Sequence, residues 1–270
     1  MTSSTDIVFL SHGGGPLPLL GDPAHAELVA SLTQLASELP RPDAILLVSA
    51  HWEETEPTLT SGARPGLIYD YYGFPPESYQ IEYPCPGAPA LAQQVQQALH
   101  SAGLPCRQDD NRGFDHGMFV PLKLMYPGAD IPCVQLSLVS HMDAGFHLAM
   151  GQALRALKGL RLLVIGSGFS FHNMHEFFTE RPEANDKNRA FEHWLTQTCT
   201  DPALTEEERK DRLVHWEQAP YARFCHPREE HLLPLHLCYG LAGRASDQHL
   251  SLTILHKQAG LFCWFGDAGQ

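Results

Sequence analysis

Histidine is the residue that stands out, with 16 in a chain of 270. Three of them share a placement: His12, His51 and His172 each follow, within a few residues, the end of a short apolar run that reads as a buried strand. Ligands in open α/β sheets bind outside the carboxyl ends of the strands, so these imidazoles can converge on one rim. Imidazole is the commonest metal ligand and titrates near neutral pH, so the chemistry on offer is metal binding or proton transfer. A fourth feature is His226-Pro-Arg-Glu-Glu-His231 at the start of a predicted helix. Its spacing is one residue too long for a His-x-x-Glu-His zinc helix, yet either Glu230 or His231 can complete a metal site. His12-Gly-Gly-Gly resembles a lipase oxyanion segment, but no Gly-x-Ser-x-Gly elbow accompanies it. The glycine loop also lacks the Lys-Ser/Thr of a phosphate-binding loop.

The elements that must carry these groups alternate between strand and helix. Apolar runs at 7–10, 44–49, 131–138, 161–165 and 250–255 read as strands. Helical patterns cover about 23–39, 88–102, 144–157, 183–198 and 205–215, the first opened by Asp22-Pro23. The segment 53–86, rich in Gly, Pro and Tyr, and the segment 108–118 read as irregular loops. Tyr69 to Tyr83 can wall the site or pack its own loop, and Trp52 is expected to pack against backbone. The pattern predicts an α/β layered sheet in one domain spanning residues 1–270.

Bulk properties narrow the function. With 31 acidic and 18 basic side chains the formal charge is −13, which repels nucleic-acid backbones and anionic membrane surfaces. No apolar run reaches the roughly 18 residues of a membrane span. Seven scattered cysteines without a Cys-x-x-Cys suit free thiols, and hence a cytoplasmic location. These properties fit a monomer or small homo-oligomer equally well.

Several short motifs recur in a fixed order: Ser11-His-Gly-Gly-Gly-Pro16, Ser49-Ala-His-Trp52, Gly73-Phe-Pro75, Tyr83-Pro-x-Pro-Gly-x-Pro89, Gly113-Phe-Asp-His-Gly117, Pro132-x-Val-Gln-Leu-Ser137, Gly166-Ser-Gly168 with His172-Asn173, and Glu230-His-x-x-Pro-Leu235. Taken together, from residue 7 to about 265, the chain resembles the DOPA 4,5-dioxygenase-like extradiol ring-opening dioxygenases, distant relatives of the β-subunit of protocatechuate 4,5-dioxygenase.

The resemblance implies a three-layer α/β/α sandwich with a mixed central sheet. It implies His12, His51 and His231 as metal ligands, with Glu230 as the alternative third ligand. His172 is implied as the acid/base and His116 as a second catalytic histidine near the substrate. The implied partners are O2 and a small aromatic diol such as a DOPA-like catechol, opened beside its diol to a semialdehyde. The implied working metal is Fe(II), because zinc cannot pass an electron to oxygen; Zn(II) can occupy the same ligands. A zinc hydrolase or amidase on the same histidines is the alternative enzyme, and a non-catalytic metal-binding module the alternative outside catalysis. The sequence departs from the simpler family pattern at Phe169-Ser-Phe171, His175, His226 and His236, which puts the substrate in question more than the reaction.

Overall fold

The computed structural model describes residues 4–266. Eight strands form one mixed sheet: β1 (Ser4–Ser11), β2 (Ala44–Glu54), β3 (Thr58–Thr60), β4 (Arg107–Asp109), β5 (Cys133–Val139), β6 (Arg161–Gly168), β7 (Gln248–Ile254) and β8 (Lys257–Trp264). Their order is β4-β3-β5-β2-β6-β1-β8-β7. The central four, β5-β2-β6-β1, run parallel. Parallel strands covered on both faces are apolar at nearly every position, which is why Ile7–Leu10, Ile45–Val48 and Leu162–Ile165 are uninterrupted apolar runs and fully buried. The antiparallel pair β8-β7 extends one edge, and β3, antiparallel to β5, extends the other.

The helices are α1 (Ala26–Glu38), α2 (Pro89–Ser101), α3 (His116–Met125), α4 (Ala144–Leu154), α5 (Pro182–Thr200), α6 (Glu206–Val214), α7 (Ala222–Cys225) and α8 (Leu233–Ala242). Successive strand residues point to opposite faces, and β6 shows which helices lie where. A Cβ on Gly166 would meet Pro234 and Cys238 of α8, whereas Ser167 hydrogen-bonds Gly117 of α3. Thus α1 and α3 cover one face, and α8, packed with α4, covers the other. The architecture is the expected three-layer α/β/α sandwich.

Several elements escape the sequence reading. β3 and β4 are only three residues each and lie in or beside segments read as loops. β8 carries Gly260 in its middle, which weakens a strand signal. α3 contains Pro121, a helix breaker by sequence. β2 also runs on past its predicted end, with a register shift between Val48 and Glu53. His51 therefore sits inside the strand, at the irregularity, and not beyond its end.

A small polar knot ties the strand ends under the rim. Ser11 Oγ donates to the Gly260 carbonyl, and the Ser170 and Gly260 amides donate to the Ser11 and Ser170 hydroxyls respectively. Beside it lies Glu192 of α5, whose carboxyl burial pushes up to about 8; the Ser170 hydrogen bond pulls it down only in part. Its Oε1 has no hydrogen-bond partner among the described residues.

A carboxyl whose folded value is raised binds its proton more tightly in the native state. Stability is therefore expected to fall as pH rises from the unfolded value of about 4.3 to about 8, by up to about 1.4 kcal/mol per pH unit, and to level off beyond. Glu192→Gln keeps the shape without the titration. Denaturation midpoints should show this variant a few kcal/mol more stable than wild type at about pH 8 and nearly equal to it at about pH 4; parallel pH profiles would refute the assignment.

Candidate metal centre

The histidines meet at the carboxyl end of the parallel strands. His12 follows β1 directly, its amide still bonded to the Gly168 carbonyl of β6 (2.9 Å). Its ring geometry is set by a chain of causes that starts at a proline. Pro121 has no N–H, so the helical bond it would give to the Gly117 carbonyl is missing. The Ser167 hydroxyl supplies a donor to that carbonyl instead. A serine has a single O–H. Ser167 Oγ can therefore only accept from His12 Nδ1, at 3.0 Å. His12 thus carries its proton on Nδ1 and presents a lone pair at Nε2.

His231 is held by the same logic. Its Nδ1 lies 3.0 Å from Glu230 Oε1. An ionised carboxylate only accepts, so Nδ1 is the donor and Nε2 bears the lone pair. His51 Nε2 stands 3.0 Å from His12 Nε2 and 3.3 Å from His231 Nε2. Two nitrogens bound to one tetrahedral metal at ~2.0–2.1 Å stand roughly 3.3 Å apart. The three rings form a near-equilateral triangle, with centroids 4.9, 4.9 and 5.3 Å apart. A proton on His51 Nε2 could satisfy only one neighbouring lone pair; a cation satisfies all three. The donor set therefore fits a divalent metal of the kind that imidazoles bind.

Electrostatics agree with neutral ligands. Burial first, then the neighbouring imidazoles, holds His12 and His51 far below the ordinary histidine value. Burial and His172 bring His231 down to about 3, against the opposing pull of Glu230. Metal ligation requires this lone-pair-bearing form.

The approach of His231 depends on glycine. Gly168 packs against the His231 backbone so closely that a Cβ would lie 2.1 Å from the His231 carbonyl oxygen. The Phe169 amide donates to that same oxygen (2.9 Å). Gly168→Ala is expected to push His231 off β6. The expected cost is about 1–3 kcal/mol or more, as for overpacking, together with loss of bound metal; a thermal melt and metal analysis of the purified variant check both.

His172 and His116 flank the triangle. His172 lies four residues beyond β6, stacked on the His231 ring with centroids 3.4 Å apart and planes at 17°. Its Nδ1 lies 3.1 Å from the same Glu230 oxygen that His231 uses. Burial alone would raise the Glu230 carboxyl, but the two histidine hydrogen bonds outweigh it and hold the carboxyl well below the usual range. The Glu230 Oε1 facing both Nδ1 atoms leaves that oxygen occupied outside the triangle. His116 opens α3, and its ring lies 3.9 Å from that of His51.

Asp115, its neighbour, receives hydrogen bonds from Ser49 Oγ of β2 (2.7 Å) and from Gln135 of β5. Three of the ordered sequence motifs are thus one network, and it fixes the start of α3. Two compact groups of possible ligands result, His12–His51–His116 and His172–Glu230–His231. The Nε2 contacts of His51 with His12 and with His231 bridge the two groups.

Other expectations sort out locally. Tyr71 meets the His116 ring edge-on at 5.6 Å, so this part of the tyrosine loop does line the site. Tyr83 bonds to the Tyr126 carbonyl in the body of the protein. Trp52 is buried under the Arg112 guanidinium, 4.3 Å from its ring. His226 and His236 each donate Nε2–H to a carbonyl, of Ser170 and Leu213 (2.7 Å each), and are core residues.

Sequence reasoning missed Ser167 and Asp70. The first stands in the Gly-Ser-Gly motif and would have followed from Pro121 once α3 was recognised. The second sits in the tyrosine loop with no local pattern to mark it.

The family description "Catalytic LigB subunit of aromatic ring-opening dioxygenase" matches residues 7–262. The chain belongs to this family. It is 41% identical over 253 residues to "Dioxygenase tasH" of Hapsidospora irregularis, covering 87% of this chain and 78% of that protein. It is 38% identical over 249 residues to "4,5-DOPA dioxygenase extradiol" of Beta vulgaris, covering 90% and 88%. The crystal structure of the Escherichia coli K12 protein JW3007 superposes with a TM-score of 0.72 at 30% identity, over 96% of this chain and 99% of that one. The enzyme class that follows is an extradiol ring-opening dioxygenase, an oxidoreductase that uses O2 on an aromatic substrate. Among the described residues no helix is long and apolar enough to cross a membrane.

Proposed function

We propose that this family member is an Fe(II) enzyme that opens a small DOPA-like catechol beside its diol to give a semialdehyde. The observation that carries the reading is the convergence of three Nε2 atoms, with a fourth imidazole, His172, stacked on one of them. His12, His51 and His231 would hold the metal. When bound, the metal supplies a Lewis acid for the catechol oxygens and a redox partner for O2.

The remaining work falls to the protein. His172, with Nδ1–H given to Glu230, has its lone pair on Nε2 and serves as the base for the substrate hydroxyl proton. The same nitrogen returns that proton as the ring opens. His116, with Nδ1–H given to Asp70, accepts a hydrogen bond at Nε2 and orients the diol. Tyr71 and Phe177 pack edge-on against His116 and His172 and limit the movement of these rings. Glu230 positions two histidines and is not itself a ligand. The chain acts as one catalytic domain, in the cytoplasm, where its seven buried thiols stay reduced.

Anaerobic loading with Fe(II), followed by a catechol panel in aerated buffer, tests the proposal. The expected result is oxygen uptake with a yellow semialdehyde. Absence of uptake with iron, together with ester or amide cleavage by the zinc form, would replace it with a hydrolase.

A further inference from the structure

We infer that Asp70 is a positioning residue that sets the ring orientation and tautomer of His116 and braces His51. It would do for that pair what Glu230 does for His231 and His172. The inference rests on the metal-centre reading above.

Asp70 lies in the segment between β3 and α2 and reaches the first turn of α3. Its Oδ1 lies 2.8 Å from His116 Nδ1 and 3.0 Å from the His116 amide nitrogen. Both bonds run from nitrogen to oxygen, so the His116 proton sits on Nδ1 and the lone pair on Nε2. The amide bond holds the carboxylate in place, and the ring bond to the same oxygen then sets the orientation of the imidazole. Oδ2 faces His51 Nδ1 at 3.8 Å. That is ion-pair range, longer than a hydrogen bond, and it favours an N–H on that side of His51. The carboxylate also sits at the amino end of a ten-residue helix, where negative charge is favoured.

The two carboxylates make a repeated device. Each serves one histidine of the metal triangle and one flanking histidine, and each histidine pair is packed ring against ring, at 3.9 Å for His51–His116 and 3.4 Å for His231–His172. Asp70 approaches from a loop and Glu230 from the segment before α8, so the two clamps close the site from different parts of the chain. His12, the remaining corner, has Ser167 in that role.

The test uses two variants. Asp70→Ala removes both acceptors. Asp70→Asn keeps an oxygen where Oδ1 receives both His116 bonds, but turns the His51 side into a donor facing a donor. In Asp70→Ala, kcat is expected to drop by roughly 10–100-fold, and the zinc dissociation constant to rise by about 10-fold, the usual scale for an outer partner of a ligand. In Asp70→Asn, kcat should recover most of the loss while zinc binding stays weakened.

Proton–nitrogen correlation spectra of the histidine rings provide a readout independent of turnover. His116 should be the Nδ1–H form in wild type and Asp70→Asn, and should lose that preference in Asp70→Ala. A wild-type His116 protonated at Nε2 would overturn the inference, as would an Asp70→Ala enzyme with unchanged kcat and zinc affinity. Should Asp70→Ala fail to fold, the wild-type spectrum and the Asp70→Asn zinc titration still decide. Should wild type open no catechol at all, the proposed function fails, while the spectra and zinc titration judge Asp70 separately.

Discussion

Alanine at His231 is expected to cost the metal centre more than the roughly 10–100-fold in affinity that outer partners contribute. It removes one of three converging nitrogens and leaves only the His12–His51 pair at 3.0 Å. Glu230 keeps His172 as a partner, so the fold around the gap persists. The same loss should appear as thermal stability. A metal bound only by the folded state stabilises it by about 2.7 kcal/mol when present at 100 times its dissociation constant. A chelator should therefore lower the melting temperature of wild type and leave His231→Ala almost unmoved. Equal metal content in the two proteins would transfer the third ligand to His116 or Glu230.

Alanine at His172 is expected to do the opposite: metal content stays, and kcat falls by about 10²–10⁴-fold, the usual weight of a general acid/base. The reason is geometric. His172 stacks on a ligand of the proposed metal site, but its Nδ1 is spent on Glu230. Its side chain is 19% exposed against 5% for His231, so solvent reaches it more readily than the ring on which it stacks. Rapid-quench turnover with metal analysis on the same sample separates the outcomes. Loss of metal along with activity would make His172 a ligand and remove it from the acid/base role.

How much of this was legible in the chain depends on whether the cause is local. The central parallel strands were legible because burial on both faces writes continuous apolar runs such as Ile45–Val48. His12 was legible because it ends such a run. α3 was hidden by Pro121, whose missing N–H is compensated by Ser167, a residue 46 positions later in the chain. No local rule reports a compensation of that kind. The preference for His231 over Glu230 comes from the motif resemblance and from no local rule, since adjacent residues differ only in which way they face. In the folded chain Glu230 Oε1 faces the Nδ1 atoms of His231 and His172, a direction that only the fold can give. Asp70 belongs to the same class. Its importance comes from a loop meeting a helix start 46 residues away, and a tyrosine-rich loop gives no signal for it.

The most direct test of the central claim is isotopic. The Fe(II)-loaded enzyme should be given a catechol substrate under heavy-isotope-labelled O2, and the ring-opened product weighed by mass spectrometry with minimal delay, before aldehyde oxygen exchanges with water. A dioxygenase places both labelled atoms in the product, one in the new carboxylate and one in the new aldehyde or its enol. Unlabelled product, with its new oxygen drawn from water and dissolved O2 unconsumed, would contradict the account and make the histidine site a centre of hydrolysis.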